Sequence, residues 1–405
     1  MRHESSLPPV ARPPNHLAEQ TVEAPEIFFV VGEPSGDLHA AQLAAELRRR
    51  DDFRLTGAGG PKMRAAGVKT DFDSSGWGAI GVADALRKVP ALYHKQLAIL
   101  RLLRQRRPAL LIYVDFGAFN VRLARAVRQL PFRQPTMYYF PPASWDRSER
   151  DRSPLAALVD VVATPFPWSE QLLRQDGVPA HFVGHPVLDR LAPVADQAGL
   201  RRDLGLPPAA HYLGLLPGSR PVERRLLGPQ MLRAARELAR DGDYHFLWSS
   251  APGVADKPDG LDPSLAGHLT VVRESADIFR AADLVLTAFG TATLEAAAAL
   301  CPMLTMYRGT WAMRLQYRLM RIPTAYYAMP NIILQRELVP ELIQDEATGP
   351  RLAARVRELI AAPEALRAMR DGLREVRRSL GEPGAARRTA DLVLQTLAPR
   401  AGSEG

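Results

Sequence analysis

Two carboxylates, Asp115 and Glu295, stand where the sequence predicts the ends of buried strands. Asp115 directly follows the apolar run Leu110 to Val114, and Glu295 follows the run Leu284 to Thr287 and a turn at Gly290. Parallel α/β sheets place working residues beyond the carboxyl ends of their strands. There Asp115 could act as a general base on an acceptor hydroxyl, and Glu295 could hydrogen-bond sugar hydroxyls. A helix cap is an equally good interpretation of Asp115.

The stretch from Leu284 to Met306 combines a strand, a glycine turn and a helix start. A parallel strand that enters a helix through Gly290-Thr291 presents backbone N–H groups, which favour anionic ligands. Together with Glu295, this arrangement suits a pocket for a nucleotide sugar. A membrane-spanning helix is the alternative, because the run is long and apolar, but Glu295 and Pro302 argue against it.

A second glycine loop, LLPGSR at Leu215 to Arg220, has a similar form. An apolar strand runs into Pro217 and Gly218, and Ser219 and Arg220 follow at once. Exposed backbone N–H groups beside the fixed fork of a guanidinium suit a diphosphate. The plainer interpretation is a turn with a solvated arginine.

A third segment, FFVVGEPSGD at Phe28 to Asp37, predicts another strand, glycine turn and helix start. Ser35 or Asp37 could contact a ligand or simply cap the helix. The spacing of Gly32 and Gly36 does not match the dinucleotide fingerprint. A ligand-binding role and a capping role therefore both stay open.

His185 and Asn120 are weaker candidates. His185 follows a short strand within VGHPVLD, where a single histidine can be structural or catalytic. Asn120 lies close to Asp115 in the sequence and could orient it or bind a hydroxyl. Neither residue alone predicts an activity.

No metal site is predicted. Asp71 and Asp73 match a DxD pattern that holds a divalent cation in other sugar transferases, but their polar neighbours predict a surface loop. Zinc-ligand clusters, HExxH, a Walker loop and the GxSxG elbow are missing from the sequence.

Composition indicates a globular chain with a basic surface. Its 405 residues carry a net charge of +8, and the single cysteine, Cys301, is predicted to be a small buried side chain. Nucleic-acid binding is disfavoured, because no zinc-finger or RNA-recognition motif accompanies the charge. Residues 97–107 mix arginines with leucines, so a helix there could face a membrane or simply pack on a sheet. Residues 1–25 predict a disordered tail.

The elements that must position these residues alternate along the chain. Apolar strands are predicted at 27–31, 110–114, 137–140, 159–163, 182–183, 212–216, 244–248, 269–272 and 284–287. Helices are predicted at 38–50, 97–107, 169–175 and 231–240, and a long helical stretch at 352–397 is broken at Pro363 and at 381–384. Such alternation predicts two doubly wound α/β domains that divide near residue 205, with ligands in the cleft between them.

Taken in order, the motifs resemble the lipid-A-disaccharide synthase family over residues 26–397. The resemblance is carried by GEPSGD at Gly32–Asp37, GAGGPKM at Gly57–Met63, AIGVADAL at Ala79–Leu86, VDFGAFN at Val114–Asn120, VGHPVLD at Val183–Asp189, LLPGSR at Leu215–Arg220, FGTATLE at Phe289–Glu295 and MPNIILQRELVPELIQ at Met329–Gln344. Each motif is weak alone, and their order and spacing together argue against coincidence.

The resemblance implies a GT-B fold, in which two Rossmann-like domains with doubly wound parallel sheets face a central cleft. The implied acceptor domain spans 26–205 and the UDP-sugar domain 206–375. A helix at 376–397 is expected to pack back across the cleft, before a tail at 398–405.

The resemblance also implies an activity. A diacylated glucosamine would move from UDP to a phosphorylated acyl-glucosamine acceptor, with inversion, to form the β-1,6-linked disaccharide of lipid A. No metal or other cofactor is expected. The implied partners are the UDP-linked donor, the glycolipid acceptor and the inner face of the cytoplasmic membrane, with no nucleic acid; a homodimer is one assembly to test.

The resemblance assigns roles to individual residues. The family's catalytic base corresponds to Asp115. The donor-binding residues would be Gly218, Ser219, Arg220, Gly290, Thr291, Glu295, Asn331, Arg336 and Glu337. The acceptor-side residues would be Ser35, Gly36, Asp37, Asn120, Trp145 and His185.

Three departures from the family pattern concern the substrates. The second aspartate of the family's DAPDFN motif is Ala118 here. In the segment at 141–148, Trp145 matches the first tryptophan of the family's SPSVWAWR, whereas the second tryptophan and the arginine do not align. Phe289 replaces a serine beside the glycine of the nucleotide domain. These changes point to altered acceptor, acyl-chain or donor contacts, so a related glycolipid substrate is an alternative.

Two other functions compete with this one. A UDP-sugar epimerase of the same fold would use the same nucleotide loops. A degenerate transferase kept as a binding or scaffold protein would explain the altered acceptor segment. Retention of Asp115, Arg220 and Glu295 together favours an enzyme.

Overall fold

The computed structural model describes residues 24–78, 81–142, 153–250, 258, 260–310 and 325–398, with only the backbone for residues 81–86. These residues form two separate sheets, and every strand pair in them is parallel. The predicted pair of doubly wound α/β domains is therefore confirmed.

The first sheet has seven strands in the order β3-β2-β1-β4-β5-β6-β7. They are β1 (Glu26–Val31), β2 (Arg54–Gly59), β3 (Lys69–Asp73), β4 (Leu110–Val114), β5 (Thr136–Tyr139), β6 (Val161–Thr164) and β7 (Ala180–Phe182). The helices in this part of the chain are α1 (Pro34–Arg48), α2 (Pro61–Ala65), α3 (Gly81–Arg106), α4 (Gly117–Val127), α5 (Pro167–Gln175), α6 (Val187–Arg190) and α7 (Gln197–Asp203).

The second sheet has six strands in the order β10-β9-β8-β11-β12-β13. They are β8 (His211–Leu216), β9 (Tyr244–Ser249), β10 (Leu269–Val272), β11 (Leu284–Ala288), β12 (Met303–Tyr307) and β13 (Glu341–Ile343). The described helices are α8 (Pro221–Asp241), α9 (Ser275–Ala281), α10 (Thr291–Ala298), α11 (Met329–Leu334), α12 (Gly349–Ile360), α13 (Pro363–Ser379) and α14 (Ala385–Leu397).

The strand order of each sheet reverses at one point, between β1 and β4 in the first and between β8 and β11 in the second. Ligands of doubly wound sheets bind beyond the carboxyl ends of the strands at this point. Asp115 follows β4, while Arg220 and Gly290 follow β8 and β11. The fold thus places these three predicted residues at the two positions where ligands are expected.

Successive residues of β1 enter two different cores. Ile27, Phe29 and Val31 pack into one cluster, and Phe28 and Val30 pack into the cluster on the opposite face. All five side chains are fully buried. A strand covered on both faces must be apolar throughout, which explains the continuous apolar runs in the sequence.

Prolines start two helices earlier than the hydrophobic spacing predicts. The spacing predicts helices from Leu38 and Met231, whereas α1 begins at Pro34 and α8 at Pro221. Proline suits the first helical turn, because its fixed φ is helical and its missing N–H would have no partner there. Because the two helices begin earlier, the N-terminus of α1 lies close to the end of β1, and the N-terminus of α8 lies close to the end of β8.

The prediction of a surface loop around Asp71 and Asp73 is wrong. Both residues belong to β3, at the edge of the first sheet. Asp71 accepts two hydrogen bonds of 2.7 Å from the guanidinium of Arg106. The strand is short and mostly polar, so it lacks the apolar run that marks its neighbours.

The C-terminal helix α14 returns to the first domain. The helical stretch predicted at 352–397 is three helices, and α14 is the one that lies against α1 and β6. Its Ala390, Leu392 and Val393 join the core of the first sheet. Helices α6 and α7, which precede the predicted division near residue 205, pack against α10 and α9 of the second domain.

The segment from Leu284 to Met306 forms the predicted strand, glycine turn and helix, and it ends in strand β12, which was not predicted. Cys301 within it is buried. Among the described helices, none combines the length and the apolar character that crossing a bilayer requires.

Candidate active site

Asp115 is fixed in a left-handed backbone conformation at the end of β4. Its φ is 49°, which costs a non-glycine residue roughly 1–2 kcal/mol. Its carboxylate accepts hydrogen bonds from Ser35 Oγ at 3.0 Å and from Phe116 N at 2.8 Å. Its carbonyl accepts two more at 2.8 Å, from Asn120 Nδ2 and from the Tyr138 hydroxyl. A strained residue held by this many contacts is typical of a functional site.

The pKa of Asp115 is raised above its ordinary value, because burial disfavours the charged carboxylate. The hydrogen bonds from Ser35 and Phe116 and the positive charge of Arg220 act in the opposite direction. A raised pKa makes a carboxylate a stronger base, which suits it to accept a proton from a hydroxyl.

Glu33 is a second carboxylate beside Asp115, and sequence reasoning missed it. It lies just beyond the end of β1, the strand next to β4. The pKa of Glu33 is raised first by burial and second by the negative charge of Asp115, whereas Arg220 lowers it. The signal was present in the sequence, because Glu33 follows a buried strand just as Asp115 does.

Arg220 approaches these carboxylates from the opposite domain. Its Nη2 lies 3.8 Å from Oε2 of Glu33, and its Nη1 lies 3.5 Å from Oε1 of Glu223. The Arg220 side chain is 48% exposed, so a ligand in the cleft can reach it. The structure therefore brings Asp115, Glu33 and Arg220 together across the cleft.

The loop that carries Arg220 depends on Gly218. The φ of Gly218 is 106°, and a Cβ atom there would lie 2.3 Å from Oε2 of Glu223. Glu223 also accepts a hydrogen bond from the backbone N–H of Arg220 at 3.2 Å. The carbonyl of Ser219 accepts one from Arg224 at 2.7 Å. The loop is thus held from within and from α8.

Gly290 makes the equivalent turn after β11. Its φ is 112°, and its carbonyl accepts a hydrogen bond from Thr293 Oγ1 at 2.7 Å. Thr291 begins α10, whose eight residues end at Ala298. Because β8 and β11 are neighbours in the sheet, the start of α10 lies beside the Arg220 loop.

Glu295, on α10, forms an ion pair with Arg190 of α6 at 3.1 Å. The pKa of Glu295 is raised by burial, while the charges of Arg190 and Lys62 lower it. Sequence reasoning missed both cations, because they lie more than a hundred residues before Glu295 and no motif links them to it. The structure places Glu295 between the two domains.

The Arg220 and Gly290 loops border one cavity of about 480 Å³. Its other described lining residues are Glu223, Ala288, Phe289, Tyr307, Tyr327, Ile343 and Gln344. The departure at Phe289 therefore lies in the wall of a cavity next to the predicted phosphate loops.

Asn331 makes its hydrogen bonds within the protein. It is fully buried, and its Nδ2 donates to the Val339 carbonyl at 2.8 Å and to Glu341 at 2.9 Å. Its Oδ1 accepts from the backbone N–H groups of Leu338 and Val339. Every polar atom of the side chain is engaged, so its contacts are those of a residue that holds the loop before β13.

Arg336 and Glu337 lie on the exposed part of that loop. Arg336 pairs with Glu375 of α13 at 2.6 Å. Neither residue is among the described residues that line the cavity. Donor binding by Asn331, Arg336 and Glu337 stays a prediction.

The acceptor-side candidates differ in their contacts. Ser35 bonds Asp115, and Gly36 lies against it, since a Cβ atom on Gly36 would be 3.4 Å from that of Asp115. Asp37 instead accepts three hydrogen bonds, of 2.8, 2.9 and 3.2 Å, from backbone N–H groups around the start of α2. These bonds give Asp37 a capping role. Trp145 lies outside the described residues.

His185 is buried among aromatic rings. Its Nδ1 accepts a hydrogen bond from Val187 N at 3.1 Å, and its ring meets Phe140 and His39 edge-on at 5.5 and 6.0 Å. Burial first, and the charge of His39 second, lower the pKa of His185 well below its ordinary value. It is therefore neutral at physiological pH, and a catalytic role for it stays a prediction.

The arrangement suits base-assisted displacement of a charged leaving group. A raised-pKa carboxylate faces an exposed arginine, and a helix start beside that arginine offers backbone N–H groups. Within the described residues, no group of three or more His, Cys, Asp or Glu side chains could hold a metal ion.

Known proteins resemble this chain in sequence and in fold. A family model described as lipid-A-disaccharide synthetase matches residues 27–394. The lipid-A-disaccharide synthase of Anaeromyxobacter sp. (strain K) is 38% identical over 385 residues, which cover 92% of this chain and 97% of that protein. The calicheamicin glycosyltransferase CalG4 has a TM-score of 0.59 at 19% identity and covers 94% of this chain and 100% of its own. A UDP-GlcNAc 2-epimerase from Neisseria meningitidis has a TM-score of 0.59 at 12% identity, covering 91% and 100%.

Proposed function

This chain belongs to the lipid-A-disaccharide synthase family and is a UDP-sugar glycosyltransferase of lipid A biosynthesis; from this we propose the details of its reaction. It transfers a diacylated glucosamine from UDP to a phosphorylated acyl-glucosamine and forms a β-1,6-linked disaccharide. The transfer is a single inverting displacement without a metal ion.

The observation that supports this proposal is the meeting of Asp115 and Arg220 across the cleft, where Glu33 interacts with both of them. Asp115 accepts the proton of the acceptor hydroxyl while the oxygen bonds to the anomeric carbon. The bond from that carbon to the diphosphate breaks, and UDP leaves with the electron pair. One displacement needs one base, and the product has inverted configuration.

Arg220 and the start of α10 stabilise the charge that develops on the diphosphate. A donor placed where charge grows in the transition state can contribute roughly 2.7–4 kcal/mol. When the donor binds, the guanidinium of Arg220 exchanges its contacts with Glu33 and Glu223 for contacts with the diphosphate. The backbone N–H groups near Gly290 and Thr291 supply neutral hydrogen-bond donors. These groups take the place that a metal ion holds in other transferases.

Glu295 binds the ribose in this proposal. Its carboxylate accepts hydrogen bonds from the two ribose hydroxyls, which are donors of the right chemistry. In the present structure the same carboxylate is paired with Arg190. Ribose binding therefore competes with an existing ion pair or shares the carboxylate with it.

A UDP-release assay tests the proposed reaction. We expect release from acylated UDP-glucosamine only when phosphorylated acyl-glucosamine is also present. Asp115→Asn should lower the rate by about 10²–10⁴-fold, the range for a lost general base. Asp52→Asn, a change of an exposed carboxylate in the same domain, should leave the rate unchanged.

The same assay separates the alternatives. Conversion of unacylated UDP-N-acetylglucosamine without any acceptor would instead identify an epimerase. UDP binding in calorimetry, with no turnover of any acylated acceptor, would indicate a binding or scaffold protein.

Helix α3 supports the proposed location at the inner face of the cytoplasmic membrane. Val89, Tyr93 and Leu97 are 44%, 45% and 36% exposed and are spaced four residues apart, so they share one helix face. Leu100 and Leu103, further along, are buried in the first domain. An apolar stripe on a basic helix suits the membrane surface.

Flotation with vesicles containing anionic lipid tests this location. The triple change Val89→Ser, Tyr93→Ser and Leu97→Ser should reduce the fraction of protein that floats. The control change Val194→Ser removes another exposed apolar side chain, 36% exposed like that of Leu97, and should not. Equal flotation of all three proteins would contradict a role for α3.

A further inference from the structure

Three stacked aromatic rings form one wall of the cavity beside Arg220. Phe289 lies between Tyr307 and Tyr327, with ring centroids 5.9 and 5.5 Å apart and interplanar angles of 9° and 11°. All three side chains are half-buried. We call this space, bounded by the three rings and Ile343, the aromatic cavity. Its lining is mainly carbon, and its volume of about 480 Å³ is large enough for a flexible chain.

The aromatic cavity lies on one side of the phosphate loops. Phe289, Tyr307 and Ile343 stand at or just beyond the ends of β11, β12 and β13. These strands occupy one half of the second sheet, and β9 and β10 occupy the other half. A ligand that lay across the strand ends, with its diphosphate between β8 and β11, would extend its two ends towards opposite halves of the sheet.

Glu295 indicates which end of the donor enters the cavity. Its carboxylate faces Arg190 and Lys62, and it is not among the described residues that line the cavity. If Glu295 holds the ribose, the nucleoside extends away from the aromatic cavity. The sugar end of the donor then extends towards it.

The chemistry of the lining agrees with this direction. A nucleobase is recognised by polar groups placed at its edge, whereas most of the described lining is carbon from the three rings, Ile343 and Ala288, and the charged side chains Arg220 and Glu223 belong to the phosphate loop and the start of α8. The amide of Gln344 already accepts a hydrogen bond from Gly309 N at 3.1 Å. An alkyl chain needs no such partner, and each methylene that it buries strengthens binding by about fourfold at most.

We propose that the aromatic cavity binds an acyl chain of the donor sugar and sets the chain length that the enzyme accepts. This inference rests on the proposed function and extends it. The ring of Phe289 forms part of the cavity wall, so the wild type should favour shorter donor acyl groups than the Phe289→Ser variant does.

The loops that form the wall are tied to the proposed donor site. Backbone N–H groups of Tyr327 and Ala328 donate to Glu341, which Asn331 also contacts. The N–H of Met329 donates to Thr293 Oγ1 in the first turn of α10. Asn331 is thus linked through Glu341 to the backbone of Tyr327.

The test is calorimetric binding of UDP and of UDP-glucosamines that carry acetyl, octanoyl or tetradecanoyl chains, all below their critical micelle concentrations. The wild type should bind octanoyl donor more tightly than acetyl donor. Ile343→Trp, which fills the cavity, should weaken octanoyl binding by about tenfold or more, the value of two or more lost methylenes. Phe289→Ser should move the preference towards tetradecanoyl. UDP affinity should stay unchanged in both variants.

Phe132→Ser is the matched control, because Phe132 is also half-buried but packs in the first domain. It should leave the chain-length profile as in the wild type. An unchanged profile in both Ile343→Trp and Phe289→Ser would overturn the inference. An equal loss of affinity for UDP and for every donor in these variants would also overturn the inference, because it would identify the cavity as the nucleobase site.

These outcomes are separate from failure of the proposed function. Chain-length-dependent binding that the variants alter, without any transfer, would support the cavity while refuting the transferase reaction. Transfer with a profile that neither variant alters would refute the cavity alone.

Discussion

Asp115, Glu33 and Arg220 place two negative charges and one positive charge close together between the domains. Burial raises the pKa of each carboxylate, the negative charge of Asp115 also raises the pKa of Glu33, and the guanidinium lowers both. When a diphosphate pairs with Arg220, the guanidinium lowers the pKa values of the two carboxylates less. The base should therefore be strongest when the donor is bound.

Arg220→Ala should lower turnover by roughly a hundredfold or more, because it removes a charged donor from the leaving group. Steady-state kinetics with saturating substrates measures the change. Arg225→Ala is the matched control, as Arg225 is an exposed arginine on the same helix. Equal rates in the two variants would show that Arg220 does not meet the leaving group.

Glu33→Gln should move the acidic limb of the kcat/KM profile to lower pH. Repulsion between Glu33 and Asp115 is mutual, so loss of one charge lowers the pKa of the remaining carboxylate. Asp115 then stays ionised, and active as a base, at lower pH. The measurement is the pH dependence of kcat/KM for the variant and the wild type. A limb that moves to higher pH would contradict repulsion as the cause.

Single residues were predictable where they end an apolar run. Asp115 and Arg220 could be identified this way. A strand that is buried on both faces is apolar throughout, so the polar residues that follow it show where it ends. Arg190 and Lys62 could not, because they meet Glu295 only through the packing of α6 and α2 at the interface between the domains. No local pattern contains such a contact.

Short elements and loops explain most differences between sequence and structure. The apolar runs of β1, β4, β8 and β11 were predicted within a residue or two, but the polar strand β3 was not. The loop before β13 has no periodicity, so its organisation by Asn331 could not be predicted. Sequence similarity assigned this asparagine to the donor, whereas its observed bonds hold the loop.

Asn331→Ala should destabilise the protein by about 2–4 kcal/mol, because it leaves several buried polar groups without partners. Denaturant unfolding measures this loss. Arg336→Ala, which removes an exposed ion pair from the same loop, should cost less than about 1 kcal/mol. Unchanged stability of Asn331→Ala together with weaker UDP binding would instead support a direct contact with the donor.

At the scale of the molecule, the chain passes between its two domains twice. The second crossing places α14 in the core of the first sheet, after α12 and α13 have packed on the second. The fold class followed from the alternation of strands and helices. The return of α14 did not follow from that alternation, because an amphipathic helix fits the surface of either sheet.

Val393→Asp should destabilise the first domain by about 3 kcal/mol or more, because it buries an unpaired charge in a closed core. Thermal unfolding followed by circular dichroism measures the effect. Gln395→Asp, an exposed position on the same helix, should change the midpoint little. Equal unfolding midpoints for Val393→Asp and Gln395→Asp would mean that α14 is not needed to complete the first domain.

The anomeric configuration of the product tests the central claim most directly, that Asp115 and Arg220 perform one displacement between the domains. Nuclear magnetic resonance of the product made from an α-linked UDP donor should show a β-linked disaccharide, formed together with UDP and lost in Asp115→Asn. An α-linked disaccharide, or product formed by Asp115→Asn at the wild-type rate, would contradict it.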